Sequence, residues 1–115
     1  MDLLQRVERH GFRPGLCFHV GSQVEEISTY DAALALAANV RAQAKVRLAG
    51  LDIGGGFPAP YGRDPRGEGR AVPDPARLVA DIAADVARHG FDDVPLVAEP
   101  GRVMVARSLS VIVRV

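Results

Sequence analysis

Glu99 stands at the end of an apolar run and directly before a Pro-Gly-Arg turn, Ala98-Glu99-Pro100-Gly101-Arg102. Val94-Pro95-Leu96-Val97 reads as a buried strand, Pro100 and Gly101 stop it, and Val103-Met104-Val105-Ala106 can begin a helix. A carboxylate at a strand tip therefore lies beside the free N–H groups of a helix start. Arg102 is out of place there, because a cation in the first helical turn opposes the macrodipole by about 0.3–1 kcal/mol. A docked anion accounts for it, since helix N-termini bind phosphate. A surface arginine after an ordinary turn is the other reading, and this stretch leaves both open.

Two more strand ends carry unusual residues. Gly54-Gly55-Gly56 follows the apolar run Val46 to Ile53, and His19 lies near the end of Leu16-Cys17-Phe18-His19-Val20. Three glycines cost backbone entropy, which argues against a mere flexible loop, and they let N–H groups approach an anion with no Cβ in the way. Gly54-x-Gly56-x-x-Ala59 matches a dinucleotide fingerprint only formally, because Pro58 and Pro60 stand where a helix should open. Taken singly, His19 is a hydrogen-bonded structural histidine and Ser22 a turn hydroxyl. Asp52 reads as structural, a capping or ion-paired residue behind the glycines, and Cys17 as a small buried apolar residue. His10 and His89 fit helix C-termini. No pair of His or Cys has metal-ligand spacing, and no Gly-x-Ser-x-Gly nucleophile motif occurs.

The elements that must position these residues alternate. Leu3 to His10 reads as a helix closed by Gly11. The chain opens inside that element, which suggests a piece of something larger. The strand Leu16–Val20 follows, then an Ala-rich helix from Tyr30 to Lys45, capped by Ser28 or Thr29, with Ala33, Leu36, Ala37 and Val40 as its apolar face. After the strand Val46–Ile53, the stretch Ala59 to Pro73 is a long Gly-, Pro- and Arg-rich loop. Asp74 caps a third helix with Pro75 at its first position and Leu78, Val79, Ile82 and Val86 as its stripe; His89 and Gly90 end it. The strand before Glu99, a short helix at Gly101 and an alternating strand Leu109–Val115 complete the order. Such alternation means an α/β fold with a parallel sheet, either Rossmann-like or a slice of a (β/α)8 barrel. In both, sites form at the C-terminal strand ends. Neighbouring strands lie about 4.8 Å apart, so three adjacent tips make a row roughly 10 Å wide, suited to one small ring bearing a phosphate.

Composition excludes other classes. The 115 residues allow about one small domain, and a formal net charge of +0 gives no reason to expect nucleic acid or an acidic membrane as partner. Cys17 is the only cysteine, which excludes an internal disulfide and points to a reducing compartment. With no long apolar run and no signal-peptide pattern, the expected location is the cytoplasm, with no membrane partner.

Together, Phe18-His19-Val20-Gly21-Ser22-Gln23, Leu51-Asp52-Ile53-Gly54-Gly55-Gly56-Phe57-Pro58 and Glu99-Pro100-Gly101-Arg102 resemble the pyridoxal-phosphate-dependent ornithine, lysine, arginine and diaminopimelate decarboxylases of the alanine-racemase-like fold. Phe-His-Val and Gly-Gly-Gly-Phe-Pro look more like the ornithine/lysine branch of polyamine biosynthesis than the diaminopimelate branch. The resemblance implies that the cofactor is pyridoxal 5′-phosphate and the substrate a small basic amino acid. It implies that His19 stacks on the pyridine ring, that Ser22, Gly54, Gly55, Gly56, Gly101 and Arg102 hold the phosphate, and that Glu99 faces the ring nitrogen. His19 and Glu99 are thus the expected catalytic residues. It further implies that residues 1–107 are the last three β/α units of a TIM-like barrel and residues 108–115 the first strand of a C-terminal β-domain, within a homodimeric lyase. The family's Schiff-base lysine has no match: Lys45, the only lysine, lies far from any family motif. Nor does Cys17 match the family's catalytic cysteine. The isolated chain is therefore expected to be inactive, poorly stable and prone to associate through its open sheet edges. A diaminopimelate or arginine decarboxylase, a non-catalytic decarboxylase-like binding protein, a truncated gene product with no function, and an unrelated phosphate-binding barrel are the alternatives.

Overall fold

The apolar runs of this chain are short and each is closed by glycine or proline, so only brief strands form between longer helices. In the computed structural model, which describes residues 3–60, 72–106, 108, 112 and 114, the order is α1 (Leu3–Arg9), β1 (Leu16–Cys17), α2 (Ser28–Ala44), β2 (Leu51–Asp52), α3 (Pro75–Arg88), β3 (Leu96–Val97) and α4 (Gly101–Val105). The three strands form one parallel sheet in the order β1-β2-β3. Leu16 pairs with Leu51 and Leu51 with Leu96; Cys17 pairs with Asp52 and Asp52 with Val97. The expected alternation and parallel sheet are therefore present. Most of the loop Ala59–Pro73 and of the strand Leu109–Val115 falls outside the described residues.

The strands are shorter than the apolar runs. Phe18 to Val20 lie beyond β1, although the Phe18 N–H still donates to the Asp52 carbonyl at 3.0 Å. Val46 and Leu48 are buried without strand pairing. Apolar side chains there serve the core, and periodicity cannot separate burial from pairing in so short a run.

Helices α2 and α3 pack on one face of the sheet, where Tyr30, Leu34, Leu51, Leu78, Ile82 and Phe91 are almost fully buried. The buried stripe of α2 is Tyr30, Leu34, Ala37 and Ala44; of the expected face Ala37 is buried and Val40 packs partly against the core, but Leu36 is 66% exposed. A helix so rich in alanine carries little hydrophobic contrast, so the one large buried ring sets its rotation. Neither Ser28 nor Thr29 caps it; both lie in the first turn, and Ile27 occupies the cap with no side-chain bond. In α3 the Asp74 carboxylate does accept from the Arg77 N–H, at 3.2 Å. Asp85 is buried where Val79 was expected; it pairs with Arg88 at 2.7 Å, and Val79 is exposed. Cys17 is exposed on the edge strand rather than buried. Partial desolvation and the nearby carboxylates of Asp52 and Glu99 push its thiol up. No helix among the described residues is long and apolar enough to cross a membrane.

Charged groups fasten α2 to α3. One Asp31 oxygen meets Arg88 at 2.7 Å and His89 Nε2 at 2.6 Å. These hydrogen bonds, His89 first, hold the Asp31 carboxyl below its ordinary value of 3.8. A folded-state value below the unfolded one gives stability that is complete above the unfolded value and lost as pH falls through the folded one. Thermal melts of wild type from about pH 6 to about pH 2 are expected to fall more steeply than those of D31N. Identical acid profiles would rule this clamp out.

Candidate functional site

The site begins with how the three strand tips meet. Beyond β1, Gly21 at φ 106° turns the chain back, and its N–H donates to His19 Nδ1 at 3.1 Å. A neutral His19 ring therefore carries its proton on Nε2. That atom lies 3.0 Å from where a Cβ on Gly55 would stand, and the Glu99 carbonyl oxygen lies 2.8 Å from the same point. The missing side chain of Gly55 is what lets the tips of β1 and β3 close over β2.

Gly54 and Gly56 are equally constrained. Gly54, at φ 66°, would bring a Cβ to 2.3 Å from the Phe18 carbonyl oxygen; Gly56, at φ 99°, to 2.4 Å from that of Gly21. Each carbonyl of the triplet is held by a different element. Gly54 accepts from the Glu99 N–H at 2.8 Å and Gly56 from the Val24 N–H at 2.9 Å. Gly55 accepts from the Tyr30 hydroxyl at 3.0 Å. Asp52 has the structural role expected of it, accepting the Gly54 N–H at 2.8 Å. That bond occupies the Gly54 donor, and the Gly101 N–H is likewise given to the Glu99 carbonyl at 2.7 Å. The Gly55 and Gly56 N–H groups donate to no described residue. Of the expected Gly54, Gly55, Gly56 and Gly101, the N–H groups with no partner among the described residues are thus those of Gly55 and Gly56.

A cleft of about 240 Å³ opens at this junction, lined by His19, Ser22, Gln23, Gly55, Gly56, Phe57, Glu99, Gly101 and Arg102. All the expected site residues except Gly54 line it. It joins an imidazole, a carboxylate, a guanidinium, a hydroxyl and two glycine peptides. These are complementary to a phosphorylated pyridine: donors for an anion, an acid for a ring nitrogen and a flat ring for stacking. A furrow of about 490 Å³ between α2 and α3 is roomier, but its charged groups are already paired, Asp31 and Asp85 with Arg88 and Asp81 with Arg77. Lys45 lies at the C-cap of α2, in a different hollow beside Arg41 and His89.

Three residues at or behind the cleft were not among the expected site residues. Gln23, at φ 55°, grips the chain after the glycines by accepting the Ala59 N–H at 2.7 Å and donating to its carbonyl at 3.0 Å. Phe57 packs on Tyr30, ring centroids 5.9 Å apart. Tyr30 itself is wholly buried behind the cleft. Their partners are backbone atoms or rings distant in sequence, which no local motif reveals.

Residues 3–106 match the family model described as pyridoxal-dependent decarboxylase, pyridoxal binding domain. The chain is 34% identical to a lysine/ornithine decarboxylase of Selenomonas ruminantium over its whole length and 28% of that protein's. It is 35% identical to a diaminopimelate decarboxylase of Actinosynnema pretiosum subsp. auranticum over 92% of this chain and 24% of that one. The chain thus spans about a quarter of the length of these curated relatives. Among solved structures, SrLDC in complex with PLP and cadaverine superposes with a TM-score of 0.72 at 37% identity, covering 90% of this chain and 26% of that one.

Proposed function

Because the chain belongs to the pyridoxal-dependent decarboxylases, in their pyridoxal-binding domain, we propose that it forms the cofactor-holding wall of an amino-acid decarboxylase of the lysine/ornithine type. The observation that carries this reading is the convergence of His19, Ser22, Gly55, Gly56, Glu99 and Arg102 on one cleft at three neighbouring strand tips. In this reading the Arg102 guanidinium, the Ser22 hydroxyl and the Gly55 and Gly56 N–H groups bind the phosphate of pyridoxal 5′-phosphate. His19 lies on the face of its ring, oriented by the Gly21 N–H. Glu99 keeps a proton on the ring nitrogen, because a carboxylate beside a base favours its charged form. When bound, the cofactor supplies an electron sink for the carbanion left as CO2 departs.

Supplying a wall and not a whole site fits the fold. In this reading the three-stranded parallel sheet supplies the last three units of a (β/α)8 barrel, which in full takes about 250 residues. Lys45 lies outside the cleft, so the lysine that anchors the cofactor must come from another part of the whole protein. The whole protein is then a cytoplasmic homodimer acting in polyamine formation.

Diaminopimelate is the second substrate to weigh, since that relative is as similar as the lysine/ornithine one. The run Gly54-Gly55-Gly56-Phe57-Pro58, which resembles the ornithine/lysine branch, favours the first. Supplied with pyridoxal 5′-phosphate, the whole protein is expected to release CO2 from lysine or ornithine faster than from diaminopimelate or arginine. Release from diaminopimelate alone would overturn the branch, and none from any of the four would overturn the activity.

A further inference from the structure

The three carbonyls of Gly54-Gly55-Gly56 are each held in place, and two of those bonds come from backbone N–H groups. Only Gly55 is held by a side chain, the Tyr30 hydroxyl at 3.0 Å. Tyr30 is 0% exposed and reaches the triplet from the core, while Gly55 and Gly56 line the cleft. In a trans peptide the C=O and the N–H of the same plane point in opposite directions. A bond that pulls the Gly55 carbonyl toward the core therefore turns the Gly56 N–H the other way, into the cleft. The hydroxyl also lies 3.4 Å from where a Gly56 Cβ would stand, which sets it beside the glycine whose donor is at stake. Burial pushes the Tyr30 phenol up, which keeps it a donor at neutral pH.

We propose that Tyr30 is a positioning residue for phosphate: its hydroxyl fixes the Gly55–Gly56 peptide so that the Gly56 N–H is aimed at the cofactor's phosphate group. This rests on the pyridoxal-phosphate reading of the cleft. It goes beyond it by assigning anion recognition to a buried residue of α2 that touches no ligand. Freed of the hydroxyl, the glycine–glycine plane can rotate with little steric resistance, because neither residue has a Cβ to hold it.

The test uses the whole protein, with pyridoxal 5′-phosphate and its phosphate-free counterpart pyridoxal as probes. Tyr30→Phe removes one oxygen and keeps the ring against Phe57. Its affinity for pyridoxal 5′-phosphate is expected to fall about tenfold, the effect of one misaligned charge-assisted hydrogen bond, with pyridoxal affinity unchanged. An equal loss for both probes would mean a merely structural hydroxyl, and no loss for either would mean none; each overturns the proposal. A second measurement needs no variant. In wild type labelled with 15N-glycine, inorganic phosphate should shift the Gly56 amide resonance, and a Gly56 amide indifferent to phosphate would overturn the assignment. If wild type itself binds the two probes equally, the cofactor reading of the cleft fails first, and this outcome is distinct from a Tyr30→Phe protein that keeps the wild-type preference for the phosphorylated probe.

Discussion

Replacing Glu99 with alanine in the whole protein is expected to lower turnover by about 10²–10³-fold while leaving most of the cofactor affinity in place. The expectation follows from what a carboxylate can do at that position. Glu99 lines the same cleft as His19 and Arg102, and its backbone is pinned on both sides, by its own N–H to Gly54 and by its carbonyl from Gly101. Its side chain is thus carried on a fixed strand tip. Removing the negative charge lowers the proton affinity of a neighbouring ring nitrogen, and a neutral pyridine is a poorer electron sink than a pyridinium. Glu99→Gln keeps size and polarity and removes only the charge, so it should lose turnover nearly as severely. The measurement is kcat for CO2 release, with cofactor loading read by absorbance so that an empty site is not mistaken for a slow one. Turnover of both variants within about threefold of wild type would leave the cleft as a plain phosphate site and reject the decarboxylase role of Glu99.

Much of this site is legible in the sequence because its parts sit at strand ends, where turn chemistry punctuates the chain. Pro100-Gly101 and the triplet Gly54-Gly55-Gly56 mark two tips, and alternating helices imply that the tips are neighbours. What was not legible is whatever depends on contacts across the fold. Tyr30 reads as the start of an Ala-rich helix, and only the folded chain shows its hydroxyl on a carbonyl of the glycine triplet. The same contact explains why the buried face of α2 runs through Tyr30 and Leu34 and not through Leu36. Asp85 is a second case: a charged residue falls on the buried face of α3 because Arg88, one turn on, pairs with it. Nor could sequence tell which glycine N–H groups remain to bind an anion. That depends on Asp52 taking one and the Glu99 carbonyl another.

The glycine triplet supports a graded stability test that separates its two possible uses, donors for a ligand and spacing between strand tips. Gly54→Ala should destabilise the folded protein by about 3 kcal/mol or more. Part is the left-handed conformation, φ 66°, which costs an L-residue about 1–2 kcal/mol. Part is the Cβ placed 2.3 Å from the Phe18 carbonyl oxygen, a clash with backbone that no rotamer relieves, worth about 1–3 kcal/mol as the strands separate. Gly90→Ala is the intermediate case, since it has φ 75° with no atom near the new Cβ, and it should lose about 1–2 kcal/mol. Gly101→Ala has neither problem and should stay within about 0.5 kcal/mol of wild type. Urea melts of the three variants give the series directly. If Gly54→Ala matches Gly101→Ala, the strand tips are not held at the separation described and the cleft between His19 and Glu99 loses its physical basis. If the series holds, closeness of the backbones comes first. The imidazole and the carboxylate can then share one ligand because Gly55, at the tip of the strand between theirs, carries no side chain.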